Sequence, residues 1–304
     1  MNDNYDVIVI GGGAAGLSGA LTLSRARRTV LVIDAGRPRN APAGGAHNYL
    51  GREGVNPLEL LRIGRGEVAS YGGEIVEGEA VKASKKDGGF TVELADGSTV
   101  DGRRLLVATG LTDELPDIDG VAQRWGKDVL HCPYCHGWEV RDQSIGVIAS
   151  NPISVHQALM WRQWSEHITF YPNDSVELDD TRRRQFAARG ITVVDGKVRS
   201  LDDLNHDAYV VTAKARSNAD VLTALGLPVA DHPAGTYVPA DGEATAIPGV
   251  WVAGNVTNLL EQVIGAAAAG VRAGAAINLD LIMEETERAV AQLPVRTDDG
   301  VCES

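Results

Sequence analysis

Residues 7–17 read Val7-Ile8-Val9-Ile10-Gly11-Gly12-Gly13-Ala14-Ala15-Gly16-Leu17, a short β-rich apolar run that leads directly into a glycine-rich turn. A helical pattern follows to about residue 24, and a second strand pattern over residues 29–33 ends at Asp34. The stretch therefore predicts a β-α-β unit with a G-x-G-x-x-G turn, which is typical of dinucleotide binding. Gly11 allows the tight turn, Gly13 lets a pyrophosphate approach the backbone, and Gly16 lets the helix pack on the strand. Asp34 stands where a carboxylate accepts hydrogen bonds from an adenosine ribose.

A second motif, Cys132-Pro133-Tyr134-Cys135, predicts a redox-active dithiol. Two cysteines separated by two residues can close a small, reducible disulfide. A zinc site would need two more soft ligands, and the only other cysteine is Cys302. We therefore expect no metal, and we interpret Cys302 as an incidental thiol.

Composition limits the partners of this 304-residue chain. The chain has 28 basic and 41 acidic side chains and a net charge of −13, which argues against nucleic acid and anionic membranes. The Ala/Gly-rich stretch over residues 263–282 is interrupted by Arg272, Asn278 and Asp280, so it predicts a buried helix and no membrane span. No secretory signal pattern is recognised, and a cytoplasmic location is predicted.

The order of the elements predicts a split first domain. A second strand–helix–strand pattern over residues 144–171 repeats the first unit weakly. The strand that ends at Gly254 and the helix after it then resume the first domain. The predicted organisation is a first part over residues 1–115, an inserted domain over 116–240, a second part over 241–293 and a flexible tail over 294–304.

With these landmarks in place, the chain resembles the low-molecular-weight thioredoxin reductase family over nearly its whole length. The matching stretches, in order, are residues 7–17, Ala108-Thr109-Gly110, the C-x-x-C motif, and I-P-G-V-W-V-A-G-N over residues 247–255. The resemblance implies an α/β fold with two Rossmann-like, three-layer ββα domains of the pyridine nucleotide-disulfide oxidoreductase class II type. It also implies FAD as cofactor and a homodimer.

The resemblance extends the cofactor site beyond the glycine turn. Asn48-Tyr49 matches the Asn-aromatic step that touches the flavin in that family. Asn255 stands where the family usually carries Asp, and Gln262-Val263 matches the start of the last helix, whose N–H groups face the flavin. The predicted FAD-binding residues are Gly11, Gly13, Ala14, Ala15, Gly16, Asp34, Asn48, Thr109, Gly110, Gly254, Asn255, Gln262 and Val263.

The inserted domain departs from the family where NADPH would bind. The second glycine loop is replaced by Ala149-Ser150-Asn151-Pro152-Ile153-Ser154, so both critical glycines are lost and Pro152 removes an N–H donor. The cluster that would grip a 2′-phosphate is replaced by Tyr171-Pro172-Asn173-Asp174. Residues 182–184 are three arginines that could substitute, but a solvated helix face is the preferred interpretation. Ordinary NAD(P)H binding is therefore doubtful.

The redox motif also departs from the family, because His136 follows the second cysteine where Asp usually acts as general acid–base group. Histidine exchanges a proton near neutral pH without a large pKa shift. The sequence C-P-Y-C-H-G resembles the dithiol oxidases that close disulfides in gliotoxin- and holomycin-type natural products. The implied roles are flavin contact for Cys135, exchange with the substrate sulfur for Cys132 and proton transfer for His136. For His131 a functional and a structural role stay open.

Three hypotheses follow. The first is an FAD-dependent thiol–disulfide oxidoreductase that oxidises a small-molecule dithiol with oxygen as acceptor. The second is a thioredoxin reductase-like disulfide reductase that acts on a thioredoxin-like protein and uses NAD(P)H or a ferredoxin-type donor. The third is a flavin-binding redox sensor without turnover. His156, on the helix after the altered loop, is interpreted as a surface or core histidine.

Overall fold

The computed structural model describes residues 4–293. In chain order the elements are β1 (Asn4–Ile10), α1 (Ala14–Arg25), β2 (Val30–Asp34), α2 (Pro57–Ser70), β3 (Glu74–Glu77), β4 (Ala80–Lys86), β5 (Gly89–Leu94), β6 (Thr99–Val107), β7 (Leu111–Glu114), α3 (Val121–Arg124), β8 (Val129–Leu130), α4 (Pro133–His136), β9 (Ile145–Ile148), α5 (Ile153–Trp161), β10 (Ile168–Tyr171), α6 (Asp180–Ala188), β11 (Thr192–Val193), β12 (Ala208–Val211), β13 (Lys214–Ser217), α7 (Asp220–Ala224), β14 (Ala230–His232), β15 (Gly235–Tyr237), β16 (Val250–Val252) and α8 (Val263–Ala291). The tail over residues 294–304, with Cys302, lies outside the described residues.

The first sheet has seven strands in the order β3-β2-β1-β6-β5-β4, with β16 paired to β6. Strands β3, β2, β1, β6 and β16 run parallel. Residues 7–10 of β1, 30–33 of β2, 105–107 of β6 and 250–252 of β16 are apolar and buried, as expected for strands covered on both faces. The parallel register aligns Ile10 with Ile33 and Val107, so the carboxyl ends of β1, β2 and β6 meet at one edge. The glycine turn after β1 lies at that edge.

The long helix α8 packs along α1 over the first sheet. The contact is close because glycines stand at the crossing: a Cβ on Gly270 would lie 2.0 Å from the Ala15 carbonyl oxygen. By length and composition alone α8 could cross a membrane. In the structure Ala266, Ala273 and Ile277 on this helix belong to the buried core of the first domain, so α8 is a core helix.

The second sheet has five parallel strands in the order β11-β10-β9-β12-β8. Helix α5 buries Trp161 against this sheet, and Phe170 on β10 meets Phe186 on α6 with ring centroids 5.0 Å apart. The two parallel sheets with their helices confirm the predicted α/β fold with two Rossmann-like units.

A four-stranded sheet, β14-β15-β13-β7, lies where the chain passes between the two larger sheets. Strand β7 leaves the first sheet and β13 returns from the second, and they pair antiparallel from Leu111–Ser217 to Glu114–Lys214. Val221 and Leu222 on α7 are buried in the core of the first sheet. The chain therefore rejoins the first core well before residue 240, where the sequence prediction ended the insert.

Candidate active site

The two cysteines of the C-x-x-C motif form a disulfide at the start of α4, with their Cα atoms 5.3 Å apart. Cys132 has an extended backbone and precedes Pro133, which suits the first position of a helix. The Cys132 carbonyl accepts hydrogen bonds from the amides of Cys135 and His136, both at 3.2 Å. The tight turn thus holds both sulfurs and the histidine in one short segment.

The loop over residues 46–55 of the first domain contacts this redox segment. The Asn48 side chain donates from Nδ2 to the Tyr134 carbonyl at 2.8 Å. Asn48 has a left-handed backbone with φ of 60°, and its amide donates to Glu53 Oε2 at 2.8 Å. The predicted flavin-contacting residue therefore lies directly against the disulfide turn.

The glycine turn after β1 fits the pyrophosphate of a dinucleotide. The Gly12 amide donates to Asp34 Oδ1 at 3.1 Å, and a Cβ on Gly16 would lie only 1.8 Å from the Gly11 carbonyl oxygen. A Cβ on Gly13, by contrast, would have no heavy atom within 4 Å, so space is open on that side. No side chain caps the start of α1, which leaves its first N–H groups available to an anion. Space and donors therefore fit FAD, which would lie against the turn.

Asp34 has a partner that the sequence did not predict. Arg65 on α2 forms an ion pair with the Asp34 carboxylate beside the glycine turn. The position of α2 across the end of β2 depends on tertiary packing, so no local sequence pattern could identify this contact.

The residues after β16 meet the segment that leads into α8. Asn255 Nδ2 donates to the carbonyls of Asn258 at 2.9 Å and Glu261 at 3.1 Å. Gln262 caps α8 and Val263 begins it. A carboxylate at position 255 would place negative oxygen against those carbonyls, whereas the Asn255 amide donates to both of them.

Thr109 and Gly110 lie where the chain passes from β6 of the first sheet to β7 of the four-stranded sheet, and Asn218 forms hydrogen bonds with both. The Thr109 hydroxyl donates to the Asn218 carbonyl at 2.6 Å, and the Asn218 side chain donates back to the Thr109 carbonyl at 3.1 Å. The Asn218 amide donates to the Gly110 carbonyl at 3.0 Å. Asn218 was missed by sequence reasoning, because it is distant in the chain from the residues it joins.

The altered second loop, between β9 and α5, pairs several of its own donors internally. The Ser150 amide donates to Ser154 Oγ at 3.3 Å, and the Ile153 amide donates to Asn151 Oδ1 at 3.0 Å. Thr212, at the end of β12, accepts hydrogen bonds from the side chains of Ser150, Asn151 and Ser154. Amides that would bind a pyrophosphate in a glycine loop are here used within the protein, in clear contrast with the turn after β1.

The segment after β10 is also used for structure. The buried Asn173 side chain donates to the Ala149 carbonyl at 3.0 Å and accepts from the Val198 amide at 2.8 Å. The arginines over residues 182–184 lie exposed on α6, and Arg183 pairs with Asp195 at 3.5 Å. They form the solvated helix face that the sequence predicted. His156 is exposed on α5.

The two histidines beside the disulfide have different surroundings. Burial lowers the pKa of His136, an effect that the Glu139 carboxylate opposes and His47 reinforces. His131 stacks on Trp125 with ring centroids 5.8 Å apart. Burial and the Arg39 guanidinium, which is bonded to Asp113, lower the pKa of His131 to about 4. His131 is therefore neutral near pH 7, where His136 is also held toward its neutral, proton-accepting form.

The low pKa of His131 predicts a loss of stability in mild acid. Between its ordinary value of 6.5 and about 4 the unfolded chain binds a proton that the folded chain does not, so stability falls as the pH drops through this window. His131 should lower the free energy of unfolding by about 2 kcal/mol between pH 7 and pH 4.5, and His131→Asn should remove this loss, measured by urea unfolding. The exposed His156→Asn is the control, and an equal change in both variants would contradict the prediction.

Comparisons with known proteins agree with this arrangement. The family model described as pyridine nucleotide-disulphide oxidoreductase matches residues 5–270. The curated protein "Thioredoxin reductase tcpT" of Claviceps purpurea (strain 20.1) is 32% identical over 311 residues, covering 92% of this chain and 95% of that protein. The crystal structure of HlmI has a TM-score of 0.90 and 40% identity, with 96% of each chain covered. The crystal structure of the oxidoreductase from Agrobacterium tumefaciens has a TM-score of 0.88 and 37% identity, covering 92% of this chain and 99% of that one.

The predicted resemblance is confirmed by these matches, which extend over both sheets and the redox motif. The chain belongs to the pyridine nucleotide-disulphide oxidoreductase family and is a thioredoxin reductase-like, flavin-dependent disulfide oxidoreductase.

Proposed function

We propose that this protein is an FAD-dependent dithiol oxidase that converts a small-molecule dithiol into a disulfide, with oxygen as the final electron acceptor. Electrons pass from the substrate to the Cys132–Cys135 disulfide and then to FAD. The C-P-Y-C-H-G motif supports the proposal through its resemblance to dithiol oxidases. A thioredoxin reductase-like activity is the second candidate, because curated relatives carry that name.

The observation that carries the proposal is the self-bonded loop before α5. Its amides and side chains bind one another and Thr212, so a pyrophosphate would have to displace internal hydrogen bonds. Each buried group left unpaired by that displacement costs about 1–3 kcal/mol. An oxidase draws its electrons from the substrate dithiol and has no need of NADPH. The loss of the NADPH-binding glycine loop therefore favours electron flow from the dithiol to FAD.

The proposed chemistry assigns one task to each residue of the redox segment. A substrate thiolate attacks the sulfur of Cys132, forms a mixed disulfide and releases the Cys135 thiolate. The second substrate thiol attacks the substrate sulfur of that bond, so the substrate leaves as a disulfide and both enzyme cysteines are reduced. His136 accepts the proton released by the attacking thiol. Bound FAD would supply the acceptor for the electron pair of the two reduced cysteines, so that the dithiol and O₂ together would yield disulfide and H₂O₂.

The other proposed site residues provide the cofactor cradle. The N–H groups at Gly13, Ala14 and Ala15 would hold the pyrophosphate, and Asp34 would accept from the ribose. Asn48, Thr109 and the start of α8 would surround the flavin. A cytoplasmic homodimer stays a prediction, as does the choice between a small dithiol and a thioredoxin-like partner.

Anaerobic stopped-flow spectroscopy of the holoenzyme tests the direction of electron flow. We expect dithiothreitol, used as the dithiol probe, to bleach the oxidised-flavin band near about 450 nm. NADPH and NADH should leave the band unchanged over the same time. Rapid bleaching by NADPH would refute the oxidase proposal and favour the reductase. Bleaching by neither donor would favour the sensor hypothesis.

A further inference from the structure

An arginine outside the glycine turn holds the acid at the end of β2. Arg65 on α2 forms an ion pair with Oδ2 of Asp34, and the Gly12 amide donates to Oδ1 of the same carboxylate at 3.1 Å. Both oxygens of Asp34 therefore have a charged or backbone donor, which fixes the plane of the carboxylate. An ionised carboxylate has about four lone-pair sites, so acceptor capacity is left for a ligand.

Helix α2 carries Arg65 to this place through its packing on α1. The side chain of Asn56 caps the start of α2. A Cβ on Gly64 would lie 3.2 Å from Leu17 Cδ1, so α2 approaches α1 closely one residue before Arg65. The side chain of Asp34 is 15% exposed and that of Arg65 is 37% exposed. The pair thus lies at the edge of the interior, where a charged hydrogen bond is stronger than in open water.

Open space adjoins Asp34 on a side that Arg65 does not line. A surface cavity of about 510 Å³ is lined by residues 35, 37 and 77–79. The cavity adjoins Asp34, because Ala35 follows it in the chain and the Gly78 amide donates to the Asp34 carbonyl at 3.0 Å. Arg65 is not among the residues that line this cavity. Any effect of Arg65 on a ligand in the cavity is therefore expected to pass through Asp34.

We propose that Arg65 is a positioning residue for FAD binding, which fixes Asp34 and balances its charge so that the carboxylate is ready to accept hydrogen bonds from the adenosine ribose. This inference rests on the proposed function, in which Asp34 belongs to the cofactor cradle. Without a positive partner, Asp34 would face the negative pyrophosphate that the glycine turn bonded to it is proposed to hold. A carboxylate that is already held before FAD binds also lowers the ordering cost of binding.

The affinity of the apoprotein for FAD tests this role without any turnover. We expect Arg65→Gln to weaken FAD binding about 10-fold, because the charged partner of Asp34 is lost. Arg65→Lys keeps the positive charge and should recover part of this loss. Arg62→Gln is the matched control, because Arg62 lies on the same helix, is 71% exposed and pairs with Glu59 at 2.6 Å. This control should bind FAD as tightly as the wild type.

A double-mutant cycle with Asp34→Asn distinguishes positioning from direct attraction of the cofactor. If Arg65 acts through Asp34, then Arg65→Gln should change the FAD affinity by less than about 2-fold in the Asp34→Asn background. If Arg65→Gln weakens FAD binding as much in that background as in the wild type, Arg65 acts on the cofactor directly and the inference is overturned.

Urea unfolding of the apoprotein tests whether the role of Arg65 is merely structural. Partly exposed ion pairs add little stability, so Arg65→Gln and Arg62→Gln should shift the unfolding midpoint by similar small amounts. An unchanged FAD affinity in Arg65→Gln contradicts the inference. A large loss of apoprotein stability in Arg65→Gln, absent from Arg62→Gln, also contradicts it, because the weaker binding would then follow from a damaged fold.

The outcomes separate this inference from the proposed function. If dithiothreitol fails to bleach the wild-type flavin, the oxidase proposal fails, and the FAD affinities of the variants still decide the role of Arg65. If the wild-type apoprotein does not bind FAD at all, the cofactor cradle and this inference fail together.

Discussion

Cys135→Ser will reduce dithiol-dependent oxygen consumption by more than about 10³-fold, because the variant cannot form the disulfide that accepts electrons from the substrate. Cys132→Ser will cause a loss of the same size, since the two sulfurs act as one unit. The measurement is oxygen uptake with dithiothreitol, together with the flavin spectrum before and after the dithiol is added. Both variants should keep their flavin and their fold.

The two cysteines differ in which partner they reach. With Cys135 replaced, the free Cys132 thiol should form a stable mixed disulfide with oxidised glutathione, detected by mass spectrometry. With Cys132 replaced, we expect far less adduct at Cys135, because that sulfur is assigned to the flavin side. Cys302→Ser provides the matched control and should keep full turnover. A loss in Cys302→Ser equal to that in Cys135→Ser would contradict this assignment of the redox centre.

Gly13→Ala will weaken FAD binding by about 100-fold or more, equivalent to about 2.7 kcal/mol. The reason is geometric: the added Cβ enters space that holds no protein atom within 4 Å and that the cofactor pyrophosphate is proposed to fill. The backbone of Gly13 is extended, with φ of −77°, so alanine adopts it without strain. Loss of a glycine cap costs the fold at most about 1 kcal/mol. Titration of the apoprotein with FAD measures the affinity, and urea unfolding measures the stability.

Gly16→Ala separates the cofactor effect from the folding effect. Its Cβ would lie 1.8 Å from the Gly11 carbonyl oxygen, so the first helix must move away from β1. We expect a loss of more than about 3 kcal/mol in apoprotein stability, as for severe overpacking. If Gly13→Ala bound FAD as tightly as the wild type, the glycine turn after β1 would not be the pyrophosphate site.

Several features of the site could be predicted from local sequence. The glycine turn, the strand before it and the acid at Asp34 depend on neighbouring residues, because tight turns and helix starts are set by short-range geometry. The Cys132–Cys135 disulfide needs only a two-residue spacing. The loss of the second glycine loop could also be recognised from local sequence. A side chain at Asn151, in place of glycine, changes which backbone N–H groups a ligand can reach.

Other predictions gave the right element with the wrong limits. The inserted domain was predicted to end at residue 240, but Val221 and Leu222 on α7 are already buried in the core of the first sheet. The strand predicted to run to Gly254 ends at Val252, because the chain turns there into a 3₁₀ segment. The limits of a strand depend on the strands that pair with it on either side. These partners lie outside any short stretch of sequence.

Residues close together in the chain are enough to predict the α/β class, the glycine turn after β1, the cysteine pair and the altered second loop. Only the tertiary structure placed Asn48 against Tyr134, Arg65 against Asp34 and His47 against Glu139. These contacts join segments far apart in the sequence. Their geometry is set by how the two domains and their loops pack, which no local pattern encodes.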